Sequence, residues 1–335
     1  MRFLKGFLIG LVVLVAVYAL GPKAKIPTLS TSVPELKLSA QSLDSFITHR
    51  EEQNPLIKED NEARIIWADS THQITEYSIV YLHGFSASQA EGEPLHRELA
   101  QRYGCNLYLP RLAGHGLAEE EPMLNLTASQ MIASAAEAIA VGKKLGKKVI
   151  LLCTSTGGSL ALYLGAHQPE IAGFILYSPN IKIYDASATL LDKPWGLQLA
   201  QLVKGSNYHS WPLDSLRAQY WTNRYRLEVL TQLQGMVRQT MRPATFVQIE
   251  QPVFLGYYYK DEEHQDNTVS VEAILDMFEQ LGTPDSLKRK VAFPEAGHHV
   301  IGSYLTSQDL PNVRNATFQF VEEVLGLQPV DSLAY

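Results

Sequence analysis

Cysteine is nearly absent from this sequence. Two residues of 335, Cys105 and Cys153, cannot build a disulfide framework or a cysteine-rich metal site. Both fall at or near strand-like stretches, where a buried free thiol is expected. Basic clusters are lacking too: 28 Lys and Arg stand against 35 Asp and Glu, a net charge of −7, which excludes a nucleic-acid partner. There are no repeats and no low-complexity tracts. Charged residues make up only 19% and hydrophobic ones 46%, so the chain is not disordered and has the material for a large core.

The longest apolar run stands at the start. Arg2 and Lys5 precede Phe7 to Leu20, a basic region followed by a hydrophobic one. With Phe3 and Leu4 it approaches the ~17–25 residues that span a bilayer. Residues 1–21 are therefore expected to be an uncleaved membrane anchor, with a cleaved signal peptide as the alternative. Either places the rest on the exported side, periplasmic or extracellular. Residues 22–42, with Pro22, Pro27 and Pro34, read as an extended tether.

From 43 to 335 the pattern is that of one α/β domain. Strand candidates at Arg64 to Ala68, Tyr77 to Leu82, Cys105 to Leu109, Lys147 to Cys153 and Ile171 to Tyr177 alternate with helical stretches. Thr127 and Gln130 form a capping box for the helix ending at Gly146. This rhythm indicates βαβ units and a mostly parallel sheet. It lapses over about 181–248, where Trp195, Tyr208, Trp211, Tyr220, Trp221 and Tyr225 gather at helical spacing with no clear strand. An inserted helical cap fits, most of its aromatics packing it onto the body. Alternation returns with strands at Pro252 to Tyr259 and Lys290 to Phe293 and helices at Val271 to Leu281 and Val313 to Leu325.

Cys153-Thr154-Ser155-Thr156-Gly157 stands where an apolar strand turns into a small-residue helical start. A strand that breaks at a serine and continues as a helix lifts the hydroxyl above the sheet. The expected pattern is G-x-S-x-G, and here the first glycine is cysteine. Cys153 itself lies two residues short of the apex, which argues against a cysteine nucleophile. Serine needs a base and an orienting acid. Both follow in that family of arrangements: an acidic segment, Lys260 to Val269, then Gly297-His298-His299-Val300-Ile301. Adjacent histidines on a turn diverge, and no third ligand has metal-site spacing.

With His83-Gly84, Gly114-His115-Gly116, the serine elbow and the acid and histidine turns in this order, residues 64–326 resemble the α/β-hydrolase superfamily, in particular the capped carboxylesterase and monoacylglycerol lipase-like group. The resemblance implies an α/β-hydrolase fold with Ser155 as nucleophile and the backbone N–H groups of Phe85 and Thr156 as the oxyanion hole. For the acid, distance from the preceding strand selects Asp261, which we take first, whereas the D-x-x-V pattern selects Asp266. For the histidine, the H-V-I register selects His299, taken first, and the G-H turn selects His298. His83 and His115 are expected to be structural. No metal or cofactor is implied. The expected activity is hydrolysis of a carboxylic ester with a short or medium acyl chain, or a monoglyceride, through an acyl-enzyme. The alternatives are a thioesterase or peptidase with the same residues and a non-catalytic binding protein on this fold.

Overall fold

The computed structural model describes residues 2–330. Nine strands occur in chain order: β1 (Arg64–Ile66), β2 (Thr75–Leu82), β3 (Asn106–Leu109), β4 (Gly146–Thr154), β5 (Ile171–Tyr177), β6 (Tyr208–Ser210), β7 (Arg224–Arg226), β8 (Val253–Tyr257) and β9 (Lys288–Ala292). Seven of them form one sheet in the order β1-β3-β2-β4-β5-β8-β9. Every neighbouring pair is parallel except β1 with β3. This is the mostly parallel sheet expected from the alternating pattern, in the architecture that the α/β-hydrolase resemblance implies.

Strand β4 shows how the sequence builds this sheet. Successive side chains point to opposite faces, and a strand buried on both faces must be apolar throughout. Val149, Leu151 and Cys153 enter the core on one face, while Ile150 and Leu152 enter the core on the other. The adjacent β2 divides in the same way, with Val80 and Leu82 on one side and Ile79 and Tyr81 on the other. Both cysteines are buried and free. The edge strand β9 carries Lys288, Arg289 and Lys290, charges that suit an unpaired edge and blur its sequence signal.

Helices accompany the strands along the chain. They are α1 (Arg2–Ala19), α2 (Ala40–Glu52), α3 (Leu95–Arg102), α4 (Ala128–Leu145), α5 (Thr156–Gly165), α6 (Gly196–Lys204), α7 (Ser215–Tyr220), α8 (Leu227–Thr240), α9 (Pro243–Phe246), α10 (Val271–Gln280) and α11 (Leu310–Glu323). The capping box of α4 is formed by Thr127 and Gln130. Between β5 and β8 lie α6 to α9 and a two-stranded ribbon, β6 with β7, pairing Tyr208 with Arg226. The ribbon is absent from the sequence reading because three-residue strands leave no periodicity.

The N-terminal expectation is corrected. Helix α1 has 18 residues, about 27 Å at 1.5 Å per residue, shorter than the ~30 Å hydrocarbon core. Among the described residues no helix is long and apolar enough to cross a membrane. The transmembrane anchor, the membrane as a partner and the exported location built on them are therefore withdrawn. The following segment lies against the body: Leu29 is buried and its carbonyl accepts the Tyr163 hydroxyl at 2.7 Å. The Pro22 carbonyl accepts the Trp195 N–H at 2.8 Å.

Register sets the strand ends level. Leu82 of β2 pairs with Cys153 of β4, and Thr154 with Tyr177 of β5, which pairs with Gly256 of β8. Loops leaving these carboxyl ends therefore share one edge, the usual place for a site in an open α/β sheet. At that edge α5 packs tightly on β2. A Cβ at Gly157 would lie 1.9 Å from the Leu82 carbonyl oxygen. Backbone cannot yield as a side chain can, so Gly157→Ala is expected to cost at least the ~1–3 kcal/mol of an overpacked core. A lowered urea midpoint at unchanged m-value is the expected result, and an unaltered midpoint would contradict this packing.

Candidate active site

Ser155 stands between β4 and α5 at φ 54° and ψ −121°, a conformation that side chains other than glycine rarely adopt. Three backbone bonds hold it there. Its N–H donates to the Tyr177 carbonyl at 2.9 Å, and its carbonyl accepts from Gly158 and Asn180, both at 2.9 Å. Gly158 is confined as Gly157 is: a Cβ would meet the Pro179 ring at 2.7 Å. The glycine pair after the serine thus reflects close approach to two neighbouring segments. Cys153 is wholly buried inside β4, so its thiol faces the core and burial raises its pKa.

The oxyanion candidates flank this elbow. Thr156 opens α5, where the first N–H groups have no intrahelical acceptor. Phe85 follows β2 through His83 and Gly84, and its ring packs edge-on against Tyr225 (5.2 Å) and His115 (5.7 Å). His83 accepts the Leu112 N–H at Nε2 (3.2 Å), and its Nδ1 faces the Gly84 carbonyl (3.0 Å). Burial drives His83 down to about 3 and His115 to about 4, so both stay neutral. His115 Nδ1 likewise meets a backbone carbonyl, that of Ala113, at 2.8 Å.

The acid and histidine segments resolve unequally. After β8 the chain makes a small hairpin, closed by a bridge between Tyr259 and Gln265 and by Lys260 N–H to the His264 carbonyl at 2.9 Å. Asp261 lies on this excursion with 53% of its side chain exposed, and its Oδ1 accepts from His264 Nδ1 at 2.8 Å. The structure does not bring Asp261 to either candidate histidine. Asp266, beyond the hairpin, is buried. Its Oδ1 accepts the N–H groups of Thr268 (2.8 Å) and Val269 (3.1 Å), and its Oδ2 meets His299 Nδ1 at 2.5 Å. The geometry pairs Asp266, and not the first-taken Asp261, with His299: the hairpin inserts residues between the strand and Asp266, so counting from the strand stops at Asp261.

Charge follows the same pairing. Burial opposes ionisation of Asp266, yet the His299 charge and hydrogen bond outweigh it and hold the carboxyl below its ordinary value. Burial likewise disfavours a charged His299, but Asp266 more than compensates and raises it. Nε2 of His299 is buried without a hydrogen-bond partner among the described residues. His298 differs: its Nδ1 accepts the Val300 N–H at 3.0 Å, and burial together with His299 pushes it down to about 4.

Ser155, His299, Phe85 and Thr156 all line one cavity of about 680 Å³. Its far wall belongs to the segment between β5 and β8, with Leu199, Trp211, Trp221 and Leu230 among the contributors. Tyr208 and Tyr220 instead tie that segment down, donating to Glu121 (2.5 Å) and Asp60 (2.9 Å). One acidic residue at the site escapes sequence reasoning. Glu91 lines the same cavity from the short 3-10 turn Gln89–Gly92, and only tertiary contacts distinguish it from a surface glutamate.

Comparison with known proteins fits this geometry. Residues 79–308 match the model of a family described as the alpha/beta hydrolase family. A thermostable monoacylglycerol lipase of Bacillus sp. (strain H-257) is 33% identical over 105 residues, 31% of this chain and 41% of that protein. The alignment thus spans less than half of that relative. Among solved structures, one from a study of LipS and LipT, two metagenome-derived lipolytic enzymes, superposes with a TM-score of 0.61 at 16% identity, covering 79% of this chain and 99% of the other. The monoacylglycerol lipase of Paleococcus ferrophilus gives 0.56 at 16% identity, over 79% and 98% of the two chains. Such identities speak for the fold alone. The family match spans well over half of the chain, and Ser155, Asp266 and His299 fall within the matched residues: this protein belongs to the α/β hydrolase family.

Proposed function

We propose that this chain is a serine hydrolase that cleaves carboxylic esters through an acyl-enzyme. The observation that carries the proposal is the buried Asp266–His299 pair: His299, whose Nε2 has no partner among the described residues, lines the cavity that Ser155 also lines. Ser155 Oγ attacks the ester carbonyl while His299 Nε2 takes its proton. The proton then passes to the departing alcohol, and water repeats the sequence to release the acid. Asp266 holds Nδ1–H toward itself, so that Nε2 is the accepting nitrogen, and its charge stabilises the imidazolium. The N–H groups of Phe85 and Thr156 receive the charge that develops on the carbonyl oxygen.

The substrate follows from the cavity wall. Residues of about 181–248 form a cap whose contribution is largely aliphatic and aromatic, which suits an acyl chain more than a charged group. The named activity of the Bacillus relative supports a monoglyceride or a similar short to medium acyl ester.

Ser155→Ala is expected to abolish labelling by a fluorophosphonate probe and ester turnover together. Labelling that persists in that variant would remove Ser155 from the mechanism. Asp266→Asn is expected to lower kcat on the order of 10⁴-fold by favouring the wrong imidazole tautomer. Asp261→Asn, a surface change, should leave kcat within about twofold. The reverse ranking would restore Asp261 as the acid. As a base His299 must be neutral, and its pKa is raised, so kcat/KM should fall as pH drops through a value above the usual ~6.5 of imidazole. A pH profile flat down to pH 5 would exclude His299 as the base.

A further inference from the structure

Beneath the site lies a carboxyl group that this mechanism does not use. Glu91 is buried, and both of its oxygens face the turn that carries the oxyanion donor. Its Oε2 accepts the Gly84 N–H at 2.5 Å and the Tyr81 hydroxyl at 3.3 Å. A Cβ at Gly84 would sit 2.8 Å from Glu91 Oε1 and 3.0 Å from the Ser155 Cβ, so this glycine backbone is pressed between the glutamate and the serine. Phe85, whose N–H is the candidate oxyanion donor, is the next residue. The turn is secured on its other side as well, where Thr222 N–H donates to the Ser86 carbonyl at 2.7 Å.

We infer that Glu91 is a positioning residue: its carboxylate clamps the Gly84 N–H to aim the oxyanion turn at Ser155, and its negative charge supports the imidazolium that forms at His299. The inference rests on the hydrolase reading and extends it. A buried carboxylate that bonds a backbone N–H fixes that peptide more firmly than a neutral acceptor does. A second negative charge near His299 favours the protonated base, adding to Asp266 from another side.

The charged and titratable neighbours are few. Glu91 bonds Tyr81 on β2 and lines the same cavity as His299 of the histidine turn, whose charge lowers its pKa. Tyr81 in turn bonds Thr154 Oγ1 on β4 at 3.0 Å and packs against the ring of His96 on α3, which burial keeps neutral. Around His299 stand Asp266, Glu91 and His298, with Arg217 of α7 acting on His298. Burial lifts the Glu91 carboxyl to about 7, against the pull of the Gly84 N–H, of His299 and of Tyr81. Glu91 is raised by burial and His299 by its carboxylate neighbours, so the charge on each bears on the protonation of the other.

The test compares the wild type with Glu91→Gln and Glu91→Asp, using 4-nitrophenyl butyrate hydrolysis across pH and fluorophosphonate labelling. Gln keeps the shape and an acceptor for Gly84 N–H but loses the charge. The acid limb of kcat/KM is expected to move to lower pH by about half a unit, because His299 loses a neighbouring anion. The plateau kcat is expected to fall about tenfold, less than removal of an oxyanion donor would cost. Glu91→Asp keeps the charge, so its acid limb should stay near that of the wild type while kcat drops through the shortened clamp. An unmoved limb in a folded Glu91→Gln variant would overturn the inference, since a purely structural glutamate would lower activity without changing the profile. If Glu91→Gln does not fold, Glu91→Asp decides: kcat equal to the wild type would mean that no clamp operates. A wild type that neither labels nor turns over the ester would instead overturn the hydrolase reading, and this inference with it.

Discussion

The close packing of α5 on the end of β2 is the constraint on which the site depends. A helix that begins directly at a strand end must lean over the neighbouring strand, and only glycine at 157 leaves room for the Leu82 carbonyl. That closeness forces Ser155 into its positive φ, held by Tyr177, Gly158 and Asn180. It also brings the His83-Gly84-Phe85 turn, the direct continuation of β2, alongside the serine. The serine elbow, the Gly84-Phe85 turn beside it and the floor beneath them are thus consequences of one interface between two elements. Strain of this kind persists only where the surroundings over-determine it, and here three backbone bonds do so.

Electrostatics separate one histidine from the others around the site. His83, His96, His115 and His298 are all pushed down by burial and remain neutral donors or acceptors in the scaffold. His299 feels the same burial but has a buried carboxylate at hydrogen-bond distance, and its pKa moves up instead. The adjacent His298 and His299 thus take opposite directions because His299 bonds a buried carboxylate while His298 Nδ1 meets only a backbone N–H. The desolvation of Asp266 is offset in turn by two backbone N–H donors and the imidazole.

Much of this was legible in residue patterns. The parallel sheet follows from runs such as Val149 to Cys153, apolar on both faces, and the end of α4 from Thr127, Gln130 and Gly146. Ser155 was readable because a strand-to-helix break with two glycines behind it has few other uses. The identity of the acid was not. Asp261 and Asp266 are both aspartates after the same strand, and their difference lies in burial and in a hairpin that only tertiary structure displays. The D-x-x-V pattern marks the aspartate that pairs with His299 because Thr268 and Val269 supply the N–H groups that bond Asp266. Glu91 carried no sequence signal, since its partners, Gly84 N–H and Tyr81, are identified only by the fold. At the N-terminus, composition suggested a membrane span, and helix length decided against it.

The hairpin before Asp266 bears on how this fold accommodates variation in loop length. Tyr259 and Gln265 pair across its neck, and the Asp266 N–H donates to the Tyr258 carbonyl at 3.2 Å, so the chain enters and leaves at nearly the same point. The side-chain hydrogen bonds within the excursion stay inside it and its neck, apart from Lys260 Nζ, which donates to Glu295 at 3.2 Å. Residues 260–264 can therefore be shortened, lengthened or replaced by a reporter sequence while the carboxylate stays on its imidazole, as lengthening a closed surface loop costs only about 0.6 kcal/mol per doubling. The excursion that disguises the acid in the sequence is also an insulated insertion point beside the site.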